Sequence, residues 1–259
     1  MIVLGSGFLG SQLKKDFNSI GVSRSGKHGI SADLLNKKDY LKLPKDETVV
    51  VFAASPDSSN VESYKKVYLE ALELSLDYAK SLKNLSKFIL ISSTGVYGES
   101  KGEEVDENTP AVPNRENAKV IVSAEKLLSD LDLPHCVIRF AGIYGPGRNR
   151  FIEKAKLGEL DLSTCSYSNR VHVEDCSKIV SHAISSDSSL YVGVDNCPCD
   201  TREVILWIRE ELGLENNFAM KKEHVKGKRC LNKKLIFEGF KFKYPSYKEG
   251  YLEMLKSLV

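Results

Sequence analysis

The chain has 259 residues, of which 42% are apolar and 28% charged, and a formal net charge of +2. That composition suits one large globular domain, alone or with a smaller appendage. It argues against nucleic acid or an anionic membrane as partner, and no apolar run approaches the roughly 20 residues that span a bilayer.

Met1-Ile2-Val3-Leu4 runs directly into glycines with no basic segment ahead of it, so a cytoplasmic location is expected. Six cysteines are spaced irregularly. Cys197-Pro198-Cys199 has the form of a metal or redox pair, but no second Cys or His pair stands at zinc-ligand spacing. Reduced thiols in a reducing compartment are the simpler expectation, with no metal.

Short apolar runs alternate with helical periodicity. Ile2–Leu4 reads as a strand, Phe8–Phe17 as a helix and Gly21–Ser23 as a second strand. Val49–Ala53 is a fully apolar strand, and Val61–Leu82 has the spacing of a long amphipathic helix. Strand Phe88–Ile91, helix Ala118–Leu131 and strand Cys136–Phe140 continue the alternation. Buried strands separated by helices predict an α/β fold, a Rossmann-type doubly wound parallel sheet. Helices over Phe151–Leu157 and Arg202–Leu212 and a strand over Leu190–Val194 follow a looser pattern. The expected division is a dinucleotide-binding domain over 1–145, with 171–194 returning to it, and a smaller substrate-side lobe from 146–170 and 195–259.

Gly5-Ser6-Gly7-Phe8-Leu9-Gly10 follows a strand and opens a helix, the context in which a glycine fingerprint binds a dinucleotide. Gly5 permits the tight turn, Gly7 lets a pyrophosphate approach the backbone, and Gly10 lets helix pack on strand. The helix-start amides then face the phosphates. The alternative is a glycine-rich turn without ligand. The second strand ends in Ser23-Arg24-Ser25 with no carboxylate, where an NAD-selective site carries Asp or Glu. Arg24 can pair with a 2′-phosphate and the serines can add hydrogen bonds, which favours NADP over NAD. Alternatively Arg24 is a solvated surface residue. Asp33-Leu34 is placed near the adenine, and the small residues Ala53-Ala54-Ser55 let the dinucleotide lie across the strand ends.

Together with Ile91-Ser92-Ser93-Thr94-Gly95-Val96-Tyr97-Gly98, Val137-Ile138-Arg139-Phe140-Ala141-Gly142-Ile143-Tyr144-Gly145-Pro146-Gly147, Arg170-Val171-His172-Val173-Glu174-Asp175 and the tail from Gly239 to Gly250, these motifs stand in an order that covers nearly the whole chain. The chain resembles the extended short-chain dehydrogenase/reductases, the NAD-dependent epimerase/dehydratase family, and looks closest to the atypical, YeeZ-like branch. The resemblance implies a cofactor contact at Ser92 and a catalytic hydroxyl at Thr94. Alternatively, Thr94 caps the turn at Gly95.

The family also uses a Tyr-x-x-x-Lys helix, with Tyr as general acid/base. Counting back from Ser123-Ala124-Glu125-Lys126, those slots fall on Asn117 and Ile121, and neither can do that work. Tyr244 and Lys248 have the spacing but sit in the tail after the wrong elements, which we take as coincidence. Tyr97 is a candidate replacement acid, or else a packing residue. Tyr144 and Arg148 lie on the segment resembling the family's substrate loop, with Arg150 close by, and Arg115 lies near the empty tyrosine slot. His172 and Asp175 are expected to be structural.

Two functions stay open. One is an NAD(P)-dependent epimerase, dehydratase or oxidoreductase acting on a nucleotide sugar or similar polar small molecule. The other is a non-catalytic NADP(H) sensor or scaffold. The helices Val61–Leu82 and Ala118–Leu131 resemble those that pair in family dimers, so a homodimer is one arrangement open to the chain.

Overall fold

The computed structural model describes residues 1–27, 29–158, 166–216 and 226–257. In chain order its elements begin with β1 (Ile2–Leu4), α1 (Phe8–Phe17), β2 (Ile20–Ser23), β3 (Gly29–Ser31) and β4 (Val49–Phe52). Next come α2 (Val61–Lys65), a π-helical turn (Lys66–Ala71), α3 (Leu72–Lys80), β5 (Lys87–Ser93), β6 (Lys101–Val105) and α4 (Glu116–Ser129). Then follow β7 (His135–Phe140), β8 (Gly142–Tyr144), α5 (Arg150–Leu157), β9 (Tyr167–Ser168), β10 (Arg170–His172) and α6 (Val173–Ser185). The last are β11 (Leu190–Gly193), β12 (Cys199–Asp200), α7 (Thr201–Glu211), β13 (Gly227–Cys230), α8 (Lys233–Phe237) and α9 (Tyr247–Lys256).

Two compact units emerge. The first holds 1–98, 110–139 and 176–191, and the second holds 99–109, 140–175 and 192–259. The boundary therefore falls at Arg139 rather than 145, and only 176–191 returns to the first unit. Residues 99–109 belong with the second because β6 pairs in parallel with β13, a contact that no local pattern announces.

The apolar runs form a seven-stranded sheet in the order β11-β7-β5-β4-β1-β2-β3, doubly wound and Rossmann-like. Four registered pairs, β1 with β2, β1 with β4, β2 with β3 and β4 with β5, are parallel. Every residue of β1 is fully buried, as are Val50, Val51, Phe52, Phe88, Ile89 and Leu90, which is what a sheet covered on both faces requires. The long helix expected over 61–82 starts at Val61 and ends at Lys80, but a π-helical turn interrupts it. Asn60 caps its start, its Oδ1 accepting from Ser63 N at 2.7 Å.

The second unit is built on short pairs: β8 with β10 in parallel and β9 with β12 antiparallel. Ile152, Val204, Ile208, Tyr251 and Met254, from α5, α7 and α9, form its core. A capping box starts α9, with Ser246 and Glu249 each accepting from the other's end of the first turn. The fully buried Asp175 carboxylate accepts Lys243 N and Tyr244 N at 2.8 Å each and so pins the tail. Among the described residues no helix is long and apolar enough to cross a membrane.

Candidate functional site

The first unit holds a cavity of about 310 Å³ at the carboxyl ends of β1, β2 and β4. Gly5, Ser6 and Gly7 form one wall, Ser23 and Arg24 a second, and Ala53, Ala54 and Ser55 a third. Asp33 and Leu34, just past β3, also line it.

The glycine loop is fixed from both sides. Gly5 N donates to Val22 O at 3.0 Å, and the Ser6 hydroxyl donates to the same carbonyl at 3.3 Å. Gly5 has φ +104°, and a Cβ there would lie 2.4 Å from Ala54 N. A Cβ at Gly10 would lie 2.3 Å from Gly5 O, so Gly10 sets how closely α1 approaches the loop. Gly7 differs from both: a Cβ there meets nothing within 4 Å. Gly7 is also the N-cap of α1 and brings no side chain to its first turn, which contains no acidic residue. The first amides of a helix lack intrahelical partners, so this end presents N–H groups and a positive dipole to open space. That arrangement suits a phosphate.

Arg24 pairs with Asp57 at 2.8 Å, with both side chains more than two-thirds exposed. The hydrogen bond to Asp57 holds the guanidinium more firmly charged. Exposed pairs of this kind contribute little and give way to a better anion. Ser31 Oγ donates to Arg24 O at 2.9 Å, which steadies the turn that carries Arg24. Ser23 Oγ and Ser25 Oγ lie 3.4 Å apart, but Ser25 does not line the cavity. Asp33 Oδ1 accepts Leu35 N at 3.0 Å, an Asx turn that shapes the far end.

Several expected contacts lie elsewhere. Leu9 and Gly10 lie on the buried face of α1 and Phe8 is in its first turn, and none of the three lines the cavity. The Ser92 hydroxyl donates to Glu125 Oε1 at 2.5 Å and is buried, so it is occupied by the core. Tyr97 is 2% exposed, and its hydroxyl accepts from Arg139 Nη1 at 2.9 Å, the arrangement of a packing residue. Arg139 in turn grips Glu125 with two hydrogen bonds, at 3.0 and 2.6 Å. The face of α4 that carries Asn117 and Ile121 thus continues to Glu125, which ties the helix to β5 and β7. Ile121 is buried and Lys119 points outward to Glu116.

Thr94 is buried at the end of β5 and opens a 3-10 turn. The hydroxyl that caps Gly95 N is that of Ser93, at 3.0 Å, and not that of Thr94. Arg115 is the exposed N-cap of α4.

In the second unit, Tyr144 is 5% exposed, and its hydroxyl donates to Ser246 O at 3.4 Å. Burial pushes its pKa far up, so it is a packing residue and not an open substrate contact. Arg148 Nη1 donates to Ile143 O at 2.9 Å, bracing its own loop, and Arg150 is the exposed first residue of α5. Tyr244 donates to Glu253 Oε2 at 2.8 Å and precedes the N-cap of α9, so it shares no helix face with Lys248.

His172 is almost fully buried against Tyr244 and Tyr144, and Nδ1 accepts from Glu174 N at 3.3 Å. Burial lowers its pKa to about 4. Between pH 6.5 and 4 the unfolded chain therefore takes up a proton that the folded chain refuses, and stability falls as pH drops through that window. Denaturant titrations at pH 7 and pH 4.5 test this. The loss between them is expected to be smaller in His172→Gln, and an equal loss contradicts the assignment.

Sequence reasoning missed Asp57, Ser63, Lys66, Val67 and Ala71, which also line the cavity. They come from the loop after β4, from α2 and from the π-helical turn, where no motif marks them. Among the described residues no group of three or more His, Cys, Asp or Glu side chains could hold a metal.

Residues 1–192 match the model of the NAD dependent epimerase/dehydratase family, and the chain belongs to that family. A Methylobacillus flagellatus structure assigned to the NAD-dependent epimerases/dehydratases is 26% identical, with a TM-score of 0.87 over 99% of this chain and 97% of that one. Thermus thermophilus UDP-glucose 4-epimerase, in complex with NAD, is 22% identical with a TM-score of 0.78, covering 96% of each chain. A human epimerase family protein with NADPH is 18% identical with a TM-score of 0.76, covering 96% and 97%. These last two show the shared fold. No curated protein matches the chain.

Proposed function

We propose that this chain binds a nicotinamide dinucleotide in the cavity beside Gly7, prefers NADP to NAD, and acts as an epimerase/dehydratase-like enzyme on a nucleotide sugar or similar polar carbonyl or hydroxyl substrate. The observation that carries this reading is the open space at Gly7, in front of a helix start that has no side-chain cap. Family relatives with NAD and NADPH support a cofactor of this class.

When bound, the nicotinamide supplies a hydride acceptor or donor. Gly7 would admit the pyrophosphate while Gly5 holds the tight turn against Ala54, Asp33 and Leu34 would stand beside the adenosine half, and Arg24 would receive a 2′-phosphate in exchange for Asp57. Thr94 offers its hydroxyl to a reacting oxygen. The α4 slots of the family's acid/base pair hold Asn117 and Ile121, so the proton is drawn from solvent or from the substrate in this reading.

Arg24 gives the cofactor preference a direct test. A charge-assisted contact of this kind is worth roughly 1.5–3 kcal/mol, or about tenfold or more in affinity. Calorimetry is expected to show NADP binding more tightly than NAD by about that factor, with the preference lost in Arg24→Ala. Equal affinities in the wild type contradict the assignment.

Asn117 and Ile121 favour a second reading, a non-catalytic NADP(H) sensor or scaffold. Hydride exchange across a panel of nucleotide sugars separates the two. Turnover lost in Thr94→Val supports the enzyme, whereas binding with no turnover on any substrate supports the sensor.

A further inference from the structure

The second unit holds a pair of thiols that the cofactor site does not use. A residue before proline is confined to extended backbone, and extended backbone sets side chains two apart on one face. Pro198 imposes this on Cys197, and Cys199 lies in β12 opposite Ser168 of β9. The two thiols are accordingly close neighbours, and their interaction lowers the pKa of Cys197 and raises that of Cys199. Both are free, with Cys199 buried and Cys197 partly open to solvent.

The charges around them are unusual. Arg170 is 4% exposed and sits among the rings of Phe151, Tyr247 and Tyr251, with its Cζ at 5.6, 5.6 and 5.8 Å from their centres. Its Nη2 donates to Ser168 Oγ, while its buried Nη1 has no hydrogen-bond partner among the described residues. This cation's field reaches both sulfurs and favours a thiolate. Lys248 acts in the same direction and Glu203 opposes it. Asp195 accepts Cys197 N at 3.0 Å, but burial pushes its own pKa up to about 8, so it adds little negative charge at neutrality. Tyr247 stays neutral, its pKa pushed up to about 12 by burial.

We propose that Cys197 and Cys199 form a hydroperoxide-reactive dithiol, with Cys197 as the nucleophile, Cys199 as the resolving thiol and Arg170 as the buried cation that holds the thiolate. The Cys197 sulfur attacks the O–O bond of a hydroperoxide. One oxygen transfers to sulfur as a sulfenic acid, and the other leaves with a proton as alcohol or water. Cys199 then attacks the sulfenic sulfur, the S–O bond breaks, water departs and an S–S bond forms. Two thiols lose two electrons and two protons, and the hydroperoxide is reduced.

Cys136, Cys176 and Cys230 are fully buried and serve as internal references. The full chain is reduced, desalted, treated with hydrogen peroxide for increasing times, alkylated and digested for mass spectrometry. The Cys197–Cys199 peptide is expected to lose two hydrogens at least about tenfold faster than the reference cysteines oxidise. Cys199→Ser is expected to stop at a sulfenic acid on Cys197 that a 1,3-diketone captures. In the unmutated chain, the alkylation rate of Cys197 is expected to reach half its maximum near pH 7, because the neighbouring Cys199 thiol and the Arg170 charge outweigh burial. Oxidation of Cys197 no faster than the reference cysteines, or an alkylation midpoint near the ordinary thiol value of about 8.5, overturns the proposal.

Discussion

Gly7→Val is expected to leave the fold intact and to weaken NADP binding by roughly a hundredfold or more, which is about 2.7 kcal/mol. A valine Cβ at this position meets no protein atom within 4 Å, and the backbone there, at φ −74°, is open to any residue. The structural cost is confined to a poorer helix N-cap, about 1 kcal/mol. The branched side chain, however, fills the space through which a pyrophosphate reaches the first amides of α1. Gly5→Val and Gly10→Val are the contrasting cases. Their Cβ atoms fall 2.4 and 2.3 Å from backbone atoms, so they disturb the fold itself. Calorimetry on the Gly7 variant, with circular dichroism melts of all three, separates the ligand's space from the protein's own packing. Binding by Gly7→Val within twofold of the wild type contradicts this account of the loop.

The other large effect is one of stability. Glu125→Ala is expected to cost about 3–5 kcal/mol, because it strands a buried cation. Among the described residues Arg139 would keep only the Tyr97 hydroxyl as a hydrogen-bond partner, and the Ser92 hydroxyl would lose its acceptor. Both members of the pair are at most 9% exposed, so solvent cannot substitute for the lost carboxylate. Replacing both by apolar residues of similar size, Glu125→Leu with Arg139→Met, is expected to recover much of the loss, since no charge is then left without a partner. Urea unfolding of the single and double variants measures both effects. A single-variant loss below about 1 kcal/mol would show the pair to be no more than a surface ion pair in its energetics.

That network shows where sequence reasoning reached and where it stopped. The runs Ile2–Leu4, Val49–Phe52 and Lys87–Ser93 are legible because a strand buried on both faces needs unbroken apolar sequence, and their edges are found within two residues. Strands β6 and β13 are not. Lys101-Gly102-Glu103-Glu104-Val105 has neither alternation nor an apolar run, and its partner lies more than a hundred residues away. The π-helical turn is hidden for a related reason: one extra residue in a turn hardly changes the apolar spacing over 61–80. The glycine loop is legible because its chemistry is local. Asp57, Ser63 and Lys66 reach the cavity only through tertiary structure. The resemblance implies a contact at Ser92, and Tyr97 is a candidate by its place after the same strand, but neither consideration reveals that Glu125 and Arg139 hold their hydroxyls. The available signal was a single charge within each of two apolar stretches, Glu125 on the helix face with Ile121 and Arg139 in Cys136–Phe140, since buried charges occur in pairs.

Titration of the purified chain with NADPH, followed by calorimetry, tests the central claim most directly. One molecule per chain is expected to bind, with a dissociation constant on the order of micromolar. If the oxidised and reduced forms of both nicotinamide dinucleotides give no heat and no competition at millimolar concentration, the cavity beside Gly7 is not a cofactor site.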